Sequence, residues 1–275
     1  MIVHNAVYTS GHRIDFGPLE QTYETCQRWG GFVWIDLYEP TRQELNFVAE
    51  AFGLHPLAVE YAAKNYQWSK TKHYNETLFV VLKPARYVES TQTIVFGEIQ
   101  AVTGPHFITT LRYGEASELH NVLQLVKRKP EWLPRGPSVI LHVVADQVVD
   151  DYSLVVADLQ NALEEIRIEV FSNPNVLPRI HKLYREALKL RMEARLLIRI
   201  LGRLAEEEGL AIGPETHWYP RNIQGRLLRA MGNIEGFCKL LSNILRMNFA
   251  STGMNKDRPS WLKPRRRKKR HVRFW

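Results

Sequence analysis

Two hydrophobic periods divide the chain. Up to about residue 135, short runs rich in β-branched and aromatic residues alternate with stretches of helical spacing. Beyond it, apolar residues recur three and four apart over long distances. The run 31–37, Gly-Phe-Val-Trp-Ile-Asp-Leu, predicts a strand. Thr41 and Glu44 then make an S/T-x-x-E capping box, so a helix is expected over 41–52, ended by Gly53. Pro56 suits the first turn of a short helix over 56–64. Strands are predicted over 77–83, 93–102 and 106–111, the last two joined by a Gly104-Pro105 turn. Residues 1–9 read as an edge strand and 116–129 as a helix. Together these give a mixed sheet with helices packed on it.

From about residue 138 the pattern is helical. Ile180, Leu183, Ala187, Leu190, Ala194, Leu197, Leu201 and Leu204 form a heptad seam, and Leu227, Met231, Ile234, Cys238, Leu241 and Leu245 form another. Gly209, Gly213, Pro214 and Pro220 predict a loop over 206–220 between them. An antiparallel hairpin of two long helices follows, packed on a third helix over 152–171. The seams are read as packing surfaces. Asp150 and Asp151 would stand at the N-terminus of that third helix, where the helix dipole favours carboxylates.

No part of this helical half has membrane character. A spanning helix needs roughly 20 mostly apolar residues, and the longest tightly apolar stretch is 139–145. The leucine-rich stretch 188–204 carries Lys189, Arg191, Glu193, Arg195, Arg199 and Arg203. Each such charge costs about 2.5–3.5 kcal/mol at a helix centre on insertion scales. The start of the chain has no basic region followed by an apolar one, so no signal peptide is read there.

Charge changes the picture at one end only. The 275 residues carry a formal net charge of +8. Residues 258–275 hold nine Lys or Arg and no acid, and subtracting nine from +8 leaves −1 for residues 1–257. The body is near neutral, which argues against a nucleic-acid-binding surface spread over the whole protein. The basic run Arg265, Arg266, Arg267, Lys268, Lys269 and Arg270 has two readings. One is an accidental tail on a truncated or frame-shifted gene product. The other is a functional arm for anionic lipid or, without sequence preference, nucleic acid. Two distant cysteines, Cys26 and Cys238, form no CxxC pair and fit a reducing compartment. There is no HExxH, GxxxxGK[ST], GxGxxG or GxSxG, and no motif points to an enzyme.

Several segments, in order, carry a family resemblance. They are Val33-Trp34-Ile35-Asp36-Leu37 with Glu39-Pro40-Thr41, then 52–60 (Phe-Gly-Leu-His-Pro-Leu-Ala-Val-Glu), 77–84, Phe96-Gly97-Glu98-Ile99, and Asp146-Gln147-Val148-Val149-Asp150-Asp151-Tyr152. Ending in long heptad helices, this succession resembles the CorA family of Mg2+/Co2+ transport proteins over most of residues 29–250. The resemblance implies an α+β chain. A cytoplasmic αβα domain with a mixed sheet would occupy 1–135 and a helical hairpin and stalk 136–257; the basic tail 258–275, which matches nothing in the family pattern, is expected to be disordered. It also implies Mg2+ or Co2+ as the transported ion with none tightly bound, and placement at the cytoplasmic face of the cell membrane. The implied partners are copies of the same chain, five in the family, or full-length CorA-type subunits. The tail adds an anionic membrane surface as a further partner, and no specific nucleic acid is implied. The chain alone would be cytoplasmic and without a pore, so it would not transport by itself. An alternative is a soluble regulatory or interaction protein that joins other CorA-type subunits.

The departures from the family pattern concern its functional residues. Two regulatory carboxylate positions fall on Tyr61, after Glu60, and Asn222, after Arg221. Neither side chain replaces a carboxylate for a hard dication. Glu60, Asp146, Asp150 and Asp151 remain as candidate metal ligands. Gly253-Met254-Asn255 matches the family's pore tripeptide in sequence, but Arg229, Glu235, Lys239 and Arg246 precede it where an apolar span belongs, so the pore role is not assigned to it.

Overall fold

The structure is a computed structural model. It describes residues 1–9, 12–15, 22, 25–26, 28, 30–54, 59–60, 62, 64, 68–74, 76–170, 176–206 and 218–256, with the backbone alone for 206, 218–221 and 248–256.

The first unit is a sheet of seven strands. β1 (Ile2–Thr9), β2 (His12–Asp15), β3 (Phe32–Tyr38), β4 (Lys70–Tyr74), β5 (Thr77–Leu82), β8 (Glu98–Gly104) and β9 (Phe107–Tyr113) lie in the order β2-β1-β3-β9-β8-β5-β4. A separate hairpin pairs β6 (Ala85–Val88) with β7 (Thr93–Phe96). The sheet is mixed, because β3 and β9 run parallel and its other pairings are antiparallel. The period of two along each strand sorts side chains to two faces. Val33, Ile35 and Leu37 join Phe79, Val81 and Leu111 in one core, with Leu45, Val48 and Phe52 of α1 (Arg42–Phe52). Phe32, Trp34, Val80, Leu82 and Ile108 face the other way, into the core that the long helices complete. The chain is therefore α+β, with an αβα sandwich at its start.

Local signals behave as expected where they are self-contained. Thr41 caps α1, the capping box with Glu44 is formed, and Gly53 ends the helix at φ 60°, a left-handed conformation suited to glycine. Four expectations are corrected by tertiary contacts. Residues 93–102 do not make one strand. Gly97 breaks the run, and a Cβ there would lie 2.9 Å from the backbone of Ala116 and Ser117, so β7 and β8 enter different sheets. β1 is not an edge strand, because β2 pairs along its far side. The helix expected over 116–129 is a 3-10 turn at Glu115–Ser117 followed by α2 (His120–Arg128). The helix expected from 152 begins at residue 138 as α3 (Ser138–Glu169), which places Asp150 and Asp151 in mid-helix and removes the dipole reading. The short helix expected over 56–64 lies largely outside the described residues.

Among the described residues the helical half is three long helices: α3, α4 (Leu177–Glu206) and α5 (Trp218–Lys256). Pro220 stands in the first turn of α5 rather than in the loop before it, as its fixed φ and missing N–H permit. Every residue of the α4 seam is buried, from Ile180 at 0% exposure to Leu204 at 6%. Leu227, Met231, Ile234, Cys238 and Leu241 of α5 are buried in the same core, and Leu245 packs against it. No described helix is long and apolar enough to cross a membrane.

Candidate functional site

Beside the apolar core that they share, the long helices also meet the sheet domain through buried polar side chains. Glu186 and Glu193 stand one heptad apart on α4, each only 4% exposed. Glu186 accepts from the Ile94 N–H of β7 at 2.9 Å and from Lys189 Nζ at 2.7 Å. Glu193 accepts from Ser69 Oγ at 2.9 Å and from its N–H at 3.4 Å. Burial pushes the Glu193 carboxyl above the usual carboxylate range, against the pull of Ser69 and Lys83. Further along α4, Arg179 donates to Gln92 at 3.0 Å, Lys182 to the Thr91 carbonyl, and Arg203 to Thr71 at 3.3 Å. Beneath them Lys83 pairs with Glu98 at 2.7 Å, and the Tyr152 hydroxyl of α3 donates to the Lys83 carbonyl at 2.9 Å. These buried carboxylates escape a reading of heptads, because they flank the seam rather than occupy it. The one signal for them is an acid repeating at seven residues beside it.

The acidic residues of α3 separate into two groups. Asp146 and Asp150, four apart and so on one face, both meet Arg226 of α5. The guanidinium contacts Asp146 and lies 2.5 Å from Asp150 Oδ1. Asp151 turns towards the sheet domain instead and accepts from Gln147 at 2.8 Å. There it lines a cleft of about 270 Å³ with Arg86, Tyr87, Glu115, Glu118 and Asp158. Burial pushes its carboxyl up to about 6. Among the described residues no group of three or more His, Cys, Asp or Glu side chains is placed to hold a metal ion.

The Asp151 geometry has a pH consequence. A carboxyl raised in the folded state contributes stability that is fully present below its unfolded value near 3.8 and lost as pH rises through about 6. Asp151→Asn keeps the acceptor for Gln147 and removes the buried charge. It is expected to raise stability at pH 7.5 by about 1–2 kcal/mol, discounted for the partial exposure of the site, with no gain at pH 3.5. Urea unfolding at the two pH values checks this; an equal effect at both would refer the change to packing.

A third feature is the outer face of α5. Leu228 is 52%, Leu240 39% and Met247 72% exposed, and a Cβ at Gly225, Gly232 or Gly236 would meet nothing within 4 Å. These six positions share one stripe of the helix.

The family described as CorA-like Mg2+ transporter protein matches residues 29–255. The chain belongs to this CorA-like family. Among curated proteins it is similar to the putative metal ion transporter YfjQ of Bacillus subtilis, 27% identical over 166 residues, or 60% of this chain and 50% of that one. It is also similar to the cobalt/magnesium transport protein CorA of Thermotoga maritima, 21% identical over 226 residues, or 79% of this chain and 63% of that one. The matches thus span about half to two thirds of the length of these relatives. Among solved structures, the complete CorA magnesium transporter of Methanocaldococcus jannaschii superposes with a TM-score of 0.74 at 13% identity, covering 94% of this chain and 80% of that one. At that identity the likeness concerns the fold.

Asn222 is exposed near the start of α5, and Tyr61 lies outside the described residues. Glu60 is exposed and paired with Lys64 at 2.7 Å, which holds its carboxyl below the usual range. Gly253, Met254 and Asn255 fall in the last helical turns of α5, where only the backbone is described. Arg265, Arg266, Arg267, Lys268, Lys269 and Arg270 lie outside the described residues.

Proposed function

We propose that this chain supplies the cytoplasmic domain and stalk of a CorA-type divalent-cation transport assembly, with Mg2+ or Co2+ as cargo. Residues 1–135 form the αβα part and 136–257 the helical stalk. Copies of the chain meet along the outer face of α5, five of them by the family resemblance. The single observation that carries the reading is that face: an exposed stripe of Leu228, Leu240, Met247 and three open glycines, on the last long helix of a chain matched by the family over residues 29–255. Exposed apolar side chains in a row mark association surfaces, and glycines let helices approach closely. Transport belongs to the assembly and its membrane-spanning parts. Regulation by bound metal is weak in this reading, since Tyr61 and Asn222 stand where the resemblance calls for carboxylates.

The test is the mass of the full chain in solution. Sedimentation velocity at about 50 μM is expected to show an oligomer, and Leu228→Glu with Leu240→Glu to convert it to monomer with unchanged circular dichroism, because a charge buried at an interface is costly when unpaired. A wild-type chain that stays monomeric at that concentration, or a variant that assembles as before, would overturn the reading.

A further inference from the structure

We infer that Arg226 is a built-in counter-ion that latches the stalk helix α5 onto α3, so that this joint closes without a bound divalent cation. The joint lies within one copy of the chain and is independent of how copies assemble.

Asp146 and Asp150 lie one helical turn apart, and two carboxylates on one face repel when both are ionised. A cation between them relieves that repulsion where α5 packs on α3, although Asp150 remains 53% exposed. The guanidinium of Arg226 occupies that place, contacting Asp146 and standing 2.5 Å from Asp150 Oδ1. A planar guanidinium with five donors can serve two carboxylates at once and does not lose its proton. The pair is also partly desolvated, since the side chains of Arg226 and Asp146 are 30% and 20% exposed. Next to it Leu227 is fully buried in the α4–α5 seam, so the arginine is held in register by packing. Among the described residues no group of three or more ligating side chains is placed to take a metal instead. Asp151, on the neighbouring face, is engaged with Gln147 and adds no ligand.

Thermal unfolding of the full chain tests this, with MgCl2 from 0 to 20 mM at constant ionic strength so that general screening does not contribute. The wild-type midpoint is expected to stay within about 1 °C across the series. Arg226→Met is expected to unfold about 3–6 °C lower, and 20 mM Mg2+ to restore part of that loss by supplying the missing charge. Asp146→Asn with Asp150→Asn, added to Arg226→Met, is expected to restore the midpoint without Mg2+ and to abolish the Mg2+ response. Should Arg226→Met fail to fold, the triple variant decides: it folds if the arginine acts as a counter-ion. The inference is overturned if Arg226→Met is as stable as wild type, or if Mg2+ moves the wild-type midpoint as far as the variant's. It is equally overturned if neutralising the two aspartates restores nothing, since the arginine would then act through packing alone.

Discussion

Replacing Arg112 by methionine is expected to destabilise the sheet domain by about 3–5 kcal/mol, the cost of leaving a buried charge without its partner. Asp36 of β3 is fully buried at the centre of the sheet. Arg112, on the parallel neighbour β9, donates from Nε at 3.0 and 2.9 Å to its two oxygens and from Nη2 at 2.9 Å. The arginine's other arm donates to the Ser117 carbonyl at 3.2 Å, tying the 3-10 turn after β9 to the sheet. Thr110 donates to Asp36 at 2.7 Å and accepts from the Trp34 indole at 3.1 Å, so the carboxylate holds Arg112 and Thr110 directly and Ser117 and Trp34 through them. Methionine fills the volume of the arginine stem but offers no donor. The comparison that isolates the charge is Asp36→Leu combined with Arg112→Met. Removing both charges is expected to recover most of the stability, because a buried ion pair adds little beyond an apolar pair of similar size. Urea unfolding followed by tryptophan fluorescence measures both. A double variant as unstable as Arg112→Met would place the effect in lost packing.

The second large effect is expected in the stalk. Leu197 of α4 is fully buried in the seam against α5. Leu197→Ala is expected to cost about 2–5 kcal/mol, the range set by how far the cavity collapses. The consequence should be uneven along the chain. α5 packs on α4 and α3, whereas the strands, which share the helical core on one face, are held in addition by their own ladders and by the α1 core on the other. Amide exchange is therefore expected to accelerate first over 223–245 and least in β3, β8 and β9. Equal acceleration in the sheet and the stalk would show that the two unfold as one unit.

What was legible in the sequence was what neighbouring residues settle among themselves. The capping box at Thr41 and Glu44 needs four residues, and it formed as read. The heptad seams repeat one local rule over several turns, and the seam residues of α4 are buried. The run through Trp34 declared a strand because β-branched and aromatic residues crowd it. The family resemblance was legible for the same reason, as short motifs in a fixed order.

Elements whose identity depends on a partner were not legible. β4, Lys-Thr-Lys-His-Tyr, has a polar face and becomes a strand by pairing with β5. β2 does the same beside β1 and takes the edge that β1 was expected to form. The first two turns of α3 are buried all round, from Val139 to Ala145, so no polar face there tied the helical stretch from 138 to the helix expected from 152. The candidate site was hidden more completely. Which charge meets Arg226 depends on how α5 lies on α3, 76 residues earlier in the chain. The buried acceptors Glu186 and Glu193 take donors from segments 92 and 124 residues away. The sequence by itself determined the local conformations and the apolar seams, because propensity, capping and period act within a few residues. The tertiary structure decided the edges of the sheet, the start of α3 and the long-range partners of Asp36, Glu186 and Glu193, because a charge is buried at low cost only where the fold brings its counterpart.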